Sequence, residues 1–339
     1  MTARNNRHIK AGRKVLLSVA CVLCFASVRA QDPHFSQYFA HPLYINPAFA
    51  GANDCPRINL GYRNQWPNIS GGFSTMSVSY DQHIHAIRGG LGAKVFADIQ
   101  GGGTYRNISA AVTYSYRFKL GRNFSLRLAA EAAYVNRYAN WNALTFPDQF
   151  DPMLGLVRPT TDEDLSQTPL DRHYADFAVG ALGYNDYFYV GLSVNHLSRP
   201  DEGFMGVRRL AIKYTAHVGG VIYFKKTYGT KRNERDISLS PNLIFTQQGK
   251  FEELSYGLYL NVYPMVMGVW YRHNFTNSDA LIALLGFEYK GVRIAYSYDI
   301  GLSQLRKSGG AHEVSLGFRL PCPERNKLLK VQAVPCPAF

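Results

Sequence analysis

Val292-Arg293-Ile294-Ala295-Tyr296-Ser297-Tyr298-Asp299-Ile300 places Val292, Ile294, Tyr296, Tyr298 and Ile300 on one face of an extended chain and Arg293, Ala295, Ser297 and Asp299 on the other, because successive strand side chains point to opposite faces. The pattern recurs in Val112, Tyr114, Tyr116 and Phe118 against Ala111, Thr113, Ser115 and Arg117. It recurs again in Val314, Leu316, Phe318 and Leu320 against Glu313, Ser315, Gly317 and Arg319. A soluble sandwich also alternates, but it does not regularly set Arg, Asp and Glu opposite so many Tyr and Phe in a secreted chain. A lipid-facing apolar surface and a polar lumen explain both faces, so the reading is all-β, a transmembrane antiparallel β-barrel.

Working outward from this stretch gives about fourteen strands, near 57–66, 72–82, 89–99, 104–119, 121–139, 173–185, 187–198, 208–224, 235–247, 251–262, 265–274, 279–290, 291–302 and 311–321. An even count puts both ends of the barrel at the periplasmic rim, where turns are short. Asn185-Asp186, Tyr263-Pro264 and Lys290-Gly291 are tight there, and the long 140–172 connection falls on the extracellular side. The basic stretch 225–235 breaks the rule as a long periplasmic loop. Trp66, Tyr138, Trp141 and Tyr271 stand at strand ends, where interfacial aromatic girdles would place them, and ordinary β propensity accounts for any single one equally well.

Ahead of the strands, residues 1–14 carry Arg4, Arg7, Lys10, Arg13 and Lys14 without an acid, Val15–Ala26 is apolar, and Val28-Arg29-Ala30 offers a small residue before a cut. This is a secretory signal peptide over 1–30. Its apolar run is shorter than the roughly 20 residues a helix needs to cross a bilayer. A lipoprotein cut before Cys21 would leave too short an apolar region. The formal charge of +13 includes six Lys/Arg of residues 1–30, where no acid occurs, so +7 remains on the mature chain. Without a nucleic-acid motif beside it, that charge reads as scattered surface Lys and Arg.

Between signal and barrel, residues 31–56 lack strand alternation. Asp32 suits a helix N-cap and Pro33 the first helical position, which predicts a short helix carrying Phe35, Tyr38 and Phe39 on one face and stopped by Pro42. Asn46-Pro47 repeats the device, with Gly51 suited to a left-handed cap. The aromatics point to folding against something larger, as a periplasmic cap or a lumen plug; a recognition surface and a purely structural cap are both open.

Asp32-Pro33-His34-Phe35-Ser36-Gln37-Tyr38, then Pro42, Asn46-Pro47-Ala48 and Gly51, directly after a signal peptide, resemble the start of the PorP/SprF-like outer-membrane proteins of the type IX secretion system. Tyr62-Arg63-Asn64-Gln65-Trp66, Gly90-Leu91-Gly92 to Asp98, Phe146-Pro147-Asp148-Gln149, Gly309-Gly310 and His312-Glu313 agree in order. The resemblance implies a non-enzymatic barrel that aids export or surface attachment of cargo such as adhesins, as in gliding motility. Its partners would be the secretion machinery, the C-terminal region of a secreted protein and outer-membrane lipid. Asp32, Pro33, Phe35, Ser36, Gln37, Tyr38, Pro42, Asn46, Pro47, Ala48, Gly51, Tyr62, Arg63, Gln65 and Trp66 become the signature positions for partner binding. The alternative on the same barrel physics is a porin-like channel.

No nucleophile elbow, phosphate loop or Cys-x-x-Cys pair occurs. His312-Glu313 lacks the second His of a zinc helix, and Asp162-Glu163-Asp164 lacks the Gly-punctuated spacing of a calcium loop, so no cofactor is expected. Three cysteines follow the signal. Cys55 and Cys322 flank the first and last strands, which a closed barrel brings together, making them a seam disulfide. Cys322 with Cys336, in the 322–339 tail, is the rival pair.

Mature protein is expected to begin at Gln31 and to enter the outer membrane as a heat-modifiable barrel. N-terminal sequencing and cell fractionation check this; a soluble product would overturn the architecture.

Overall fold

In a bilayer a strand can leave no backbone group unpaired, so a sheet that crosses it must close on itself. The computed structural model describes residues 32–53, 55–121, 123–146, 149–151, 153, 155–156, 170–225, 237–275, 277–302 and 308–322. His34–Phe339 form one unit; of the other, Met1–Pro33, only Asp32 and Pro33 are described.

Fourteen strands build the sheet: β1 Arg57–Gln65, β2 Phe73–Ile84, β3 Gly89–Gln100, β4 Tyr105–Lys119, β5 Ser125–Ala139, β6 Asp171–Tyr184 and β7 Phe188–Asn195. They continue with β8 Lys213–Gly220, interrupted at Val221 and resumed over Ile222–Lys225, then β9 Ile237–Gln248, β10 Phe251–Val262, β11 Met265–Asn274, β12 Asn277–Tyr289, β13 Val292–Gly301 and β14 Ala311–Arg319. Each pairs antiparallel with the next, and β1 pairs with β14 from Arg57↔Arg319 to Gln65↔Ala311, which closes the barrel. In β13, Val292, Ile294, Tyr296 and Ile300 are exposed while Arg293, Ala295, Ser297 and Asp299 are buried. The two-residue period thus sorts lipid from lumen as the sequence predicts. No helix among the described residues is long and apolar enough to cross a membrane.

One rim carries only short connections among the described residues, at 85–88, 120–124, 185–187, 263–264 and 290–291. The opposite rim carries the longer 140–170 and 196–212. The basic 225–235 stretch lies outside the described residues apart from Lys225, as do the signal peptide, Pro147, Asp148, Asp162-Glu163-Asp164 and the tail with Cys336.

The seventh and eighth strands are shorter than predicted, ending at Asn195 and starting at Lys213. The residues between them fold as an ordered loop instead. His196 and Arg199 take positive φ, Asp201 bridges Arg209, and the Asp201 carboxylate accepts the Gly203 and Arg208 amides at 3.1 and 2.7 Å. Glu202 pairs with Arg137 of β5, so a charged contact wins over strand extension.

Cys55 and Cys322 are joined across the seam, their Cα atoms 4.5 Å apart, and the Leu320 amide donates to the Pro56 carbonyl at 2.9 Å beside them. Non-reducing peptide mapping of the mature protein is expected to recover the Cys55 and Cys322 peptides linked. A Cys55 peptide found free, or Cys322 linked to Cys336, would overturn this seam.

Candidate functional site

The predicted helix over Asp32–Phe39 does not form. Its amides find better acceptors across the barrel: Ser36 and Gln37 donate to the two carboxylate oxygens of Glu313 at 2.7 and 3.1 Å. A single 3-10 turn, Tyr38–Ala40, follows. Pro42 does not stop a helix but opens one, Pro42–Ile45, at the position where its missing N–H needs no partner. The second device forms as predicted in kind. The Asn46 side chain accepts the Ala48 amide at 2.9 Å and caps the 3-10 turn Pro47–Phe49, with Gly51 at φ 60° beyond it.

From Phe35 to Ala52 nearly every side chain is buried, and its partners are the inward-facing residues of strands all round the barrel. Toward the long-loop rim lies a belt of charge. Arg63 donates to Asp299 at 2.9 Å, Glu313 at 3.2 Å and the Ser36 hydroxyl at 2.6 Å. Arg272 pairs with Asp299 at 3.0 Å and with Asp279. The Ser36 hydroxyl donates to Asp299 at 2.6 Å, Gln37 donates to the Glu313 carbonyl at 2.9 Å, and the Ser315 hydroxyl donates to Gln37 at 2.5 Å. Arg63, Arg272 and Asp299 each stand two residues before the end of their strand at this rim, while Glu253, Asp279 and Glu313 stand two residues after the start of theirs. Six strands thereby bring their charges to one level.

Next along the segment comes an aromatic layer. Tyr38 packs on Trp270 at 4.7 Å between ring centroids, and Phe39 meets Tyr189, Tyr259 and Trp270 at 6.0 to 6.2 Å. Phe35 is not on their face: it stacks on His41 at 3.9 Å and meets Tyr44 and Phe96 edge-on. His41 in turn lies over Gly61, where an added Cβ would come within 2.0 Å of the ring.

At mid-height Asn46 donates to the Ala181 and Leu192 carbonyls at 3.0 and 3.1 Å and lies 3.1 Å from His217, while Ser193 donates to the Ile45 carbonyl at 2.8 Å. Near the short-turn rim Arg127 donates to the Ala50 and Gly51 carbonyls at 3.0 and 2.6 Å, and the Gly51 amide donates to Asp81 at 2.9 Å. Asp81 is paired with Arg57 at 2.5 Å. Gly90 admits this backbone, since a Cβ there would meet the Ala50 carbonyl oxygen at 2.2 Å.

The signature positions therefore divide. Phe35, Ser36, Gln37, Tyr38, Pro42, Asn46, Pro47, Ala48, Gly51 and Arg63 converge inside the barrel. Gln65 joins their edge through Arg63 at 3.5 Å. Tyr62 faces outward and exposed. Trp66 sits at the long-loop rim with its ring edge-on to Phe73 at 5.1 Å, and its amide donates to the Gly310 carbonyl at 2.8 Å. Asp32 and Pro33 are half-buried. The partners Asp299, Arg272, Trp270, His217, Arg127 and Asp81 escape a sequence reading. The available signal is a charged inward residue near a strand end, which shows its importance only once the strands are in register.

A family model described as type IX secretion system membrane protein PorP/SprF matches residues 27–318. No curated protein matches the chain. Among solved structures it is similar to the outer membrane protein Omp33 of Acinetobacter baumannii, at 8% identity and TM-score 0.44, covering 80% of this chain and 100% of that one. It is also similar to a Pseudomonas aeruginosa FadL homologue, at 14% identity and TM-score 0.43, covering 81% and 92%. The P. putida toluene transporter TodX gives 11% identity and TM-score 0.44, covering 81% and 92%.

Arg63→Ala leaves Asp299 and Glu313 sharing one guanidinium fewer in a buried place, a loss on the order of 3–5 kcal/mol. It is expected to lower the temperature of heat-modifiability well below that of the neighbouring outward change Tyr62→Ala. Equal temperatures for the two variants would contradict the belt's role.

Proposed function

Because the chain belongs to the PorP/SprF family of type IX secretion system membrane proteins, we propose that this outer-membrane barrel works by binding, helping to export a cargo such as a surface adhesin or to hold it at the cell surface. The long-loop rim, with 140–170 and 196–212, engages the C-terminal region of the cargo, and the short-turn rim engages the secretion machinery. The surface residues on which these contacts rest are drawn from loops, where insertions and exposed polar groups are tolerated.

The observation that carries this reading is the burial of Phe35–Ala52 against the inner wall. Phe39 and Phe49 are each 1% exposed, and the segment is hydrogen-bonded at the charge belt, at Asn46 and at Arg127. A barrel of this strand count otherwise approaches the sizes that leave an aqueous passage. With the segment seated as a plug, passive diffusion is a poor use of the fold, and the signature positions inside act by shaping the rims and not by touching the partner directly. Substituting them therefore lowers export through loss of the folded rim.

In planar bilayers the wild-type barrel is expected to be electrically silent, whereas a variant lacking residues 32–52 conducts steadily. A porin-like conductance from the wild type would favour the channel alternative. Deleting the gene is expected to remove a small set of proteins from the culture medium or cell surface; an unchanged secretome would sink the export role.

A further inference from the structure

His34, Glu253 and Asp279 come from three separate parts of the chain: the N-terminal segment, the start of β10 and the start of β12. Each presents one potential ligand atom, and these atoms all lie within 4.8 Å of one another. We propose that this triad is a binding site for a divalent transition cation of the zinc class, held between the N-terminal segment and the inner wall at the long-loop end of the lumen.

Three observations carry it. First, the Nε2 of His34 is shut off from solvent and has no hydrogen-bond partner. A buried imidazole nitrogen left bare is costly unless something fills the gap. Second, Glu253 and Asp279 stand at the level of the charge belt, so two carboxylates meet the N-terminal segment where His34 lies. Third, Asp279 is 40% exposed at its side chain, so the group has an entry path from the long-loop rim, which a loadable metal site needs.

The donors select the cation. One imidazole and two carboxylates suit zinc, manganese, cobalt or ferrous iron better than magnesium or calcium, which prefer all-oxygen shells, or cuprous copper, which prefers sulfur. The neutral imidazole is the form that ligates. Asp279 already pairs with Arg272, and Glu253 accepts from Ser255 at 3.3 Å. Each carboxylate has further lone pairs for a cation, and these partners would orient it. Bound metal would pin the beginning of the N-terminal segment to β10 and β12. The proposal stands independently of what the barrel exports.

The test uses the full mature protein in detergent, stripped with a chelator and titrated with zinc chloride, with cobalt(II) as a spectroscopic probe. One zinc per chain is expected, together with cobalt absorption bands that zinc abolishes. His34→Ala and Glu253→Gln, checked as assembled by heat-modifiability, should each weaken zinc at least about tenfold. Zinc should also raise the heat-modification temperature of the wild type, reversibly with chelator. Should the variants fail to assemble, X-ray absorption of the zinc-loaded wild type decides: a light-atom shell containing one imidazole is expected. Absence of saturable one-to-one binding, variant affinities equal to wild type, or a shell without imidazole would each overturn the proposal.

Discussion

Fourteen strands enclose more space than their own inward side chains can fill, and the rest of the structure follows from how that space is used. Smaller barrels pack their interiors with side chains, and larger ones leave water. Here Phe35–Ala52 is buried against the inner wall. The inner wall is accordingly specialised in layers: a charge belt that takes backbone amides, an aromatic layer around Phe39, and a short-turn end where Arg127 and Asp81 hold Ala50 and Gly51. Glycines at 61 and 90 clear the wall where the segment comes closest. Burying charge is costly unless each group is paired, and the belt meets that condition by sharing Asp299 and Glu313 among Arg63, Arg272 and Ser36.

The strands were legible in the sequence because lipid outside and polar contacts inside impose a two-residue period on every crossing. Val292 to Ile300 shows it without any tertiary information, and so does Val112 to Phe118. Strand ends were legible only where a tight turn fixed them. At 196–212 the competition between strand extension and the Glu202 pairing with Arg137 cannot be read from spacing, because the two partners are distant in sequence.

The N-terminal segment was legible as a unit but not in its conformation. Asp32-Pro33 has the residues of a helix start, yet local capping offers about 1 kcal/mol, whereas Glu313 offers a buried carboxylate to two amides at once. Asn46-Pro47 kept its predicted cap because Asn46 bonds locally to Ala48 while its amide nitrogen reaches the wall. The same long range hides the convergence of His34, Glu253 and Asp279. No motif spacing connects them, and only the register of the strands does.

The Glu313 contacts also bear on the order of assembly. Ser36 and Gln37 precede every strand of the barrel, and Glu313 lies on the last. Their bonds therefore form only after β14 has arrived and met β1, so the beginning of the chain must wait for its end. A barrel interrupted before that strand lacks the acceptor for both amides. Closure of the seam and full anchorage of the N-terminal segment are therefore coupled, since both amides find their acceptor on the closing strand.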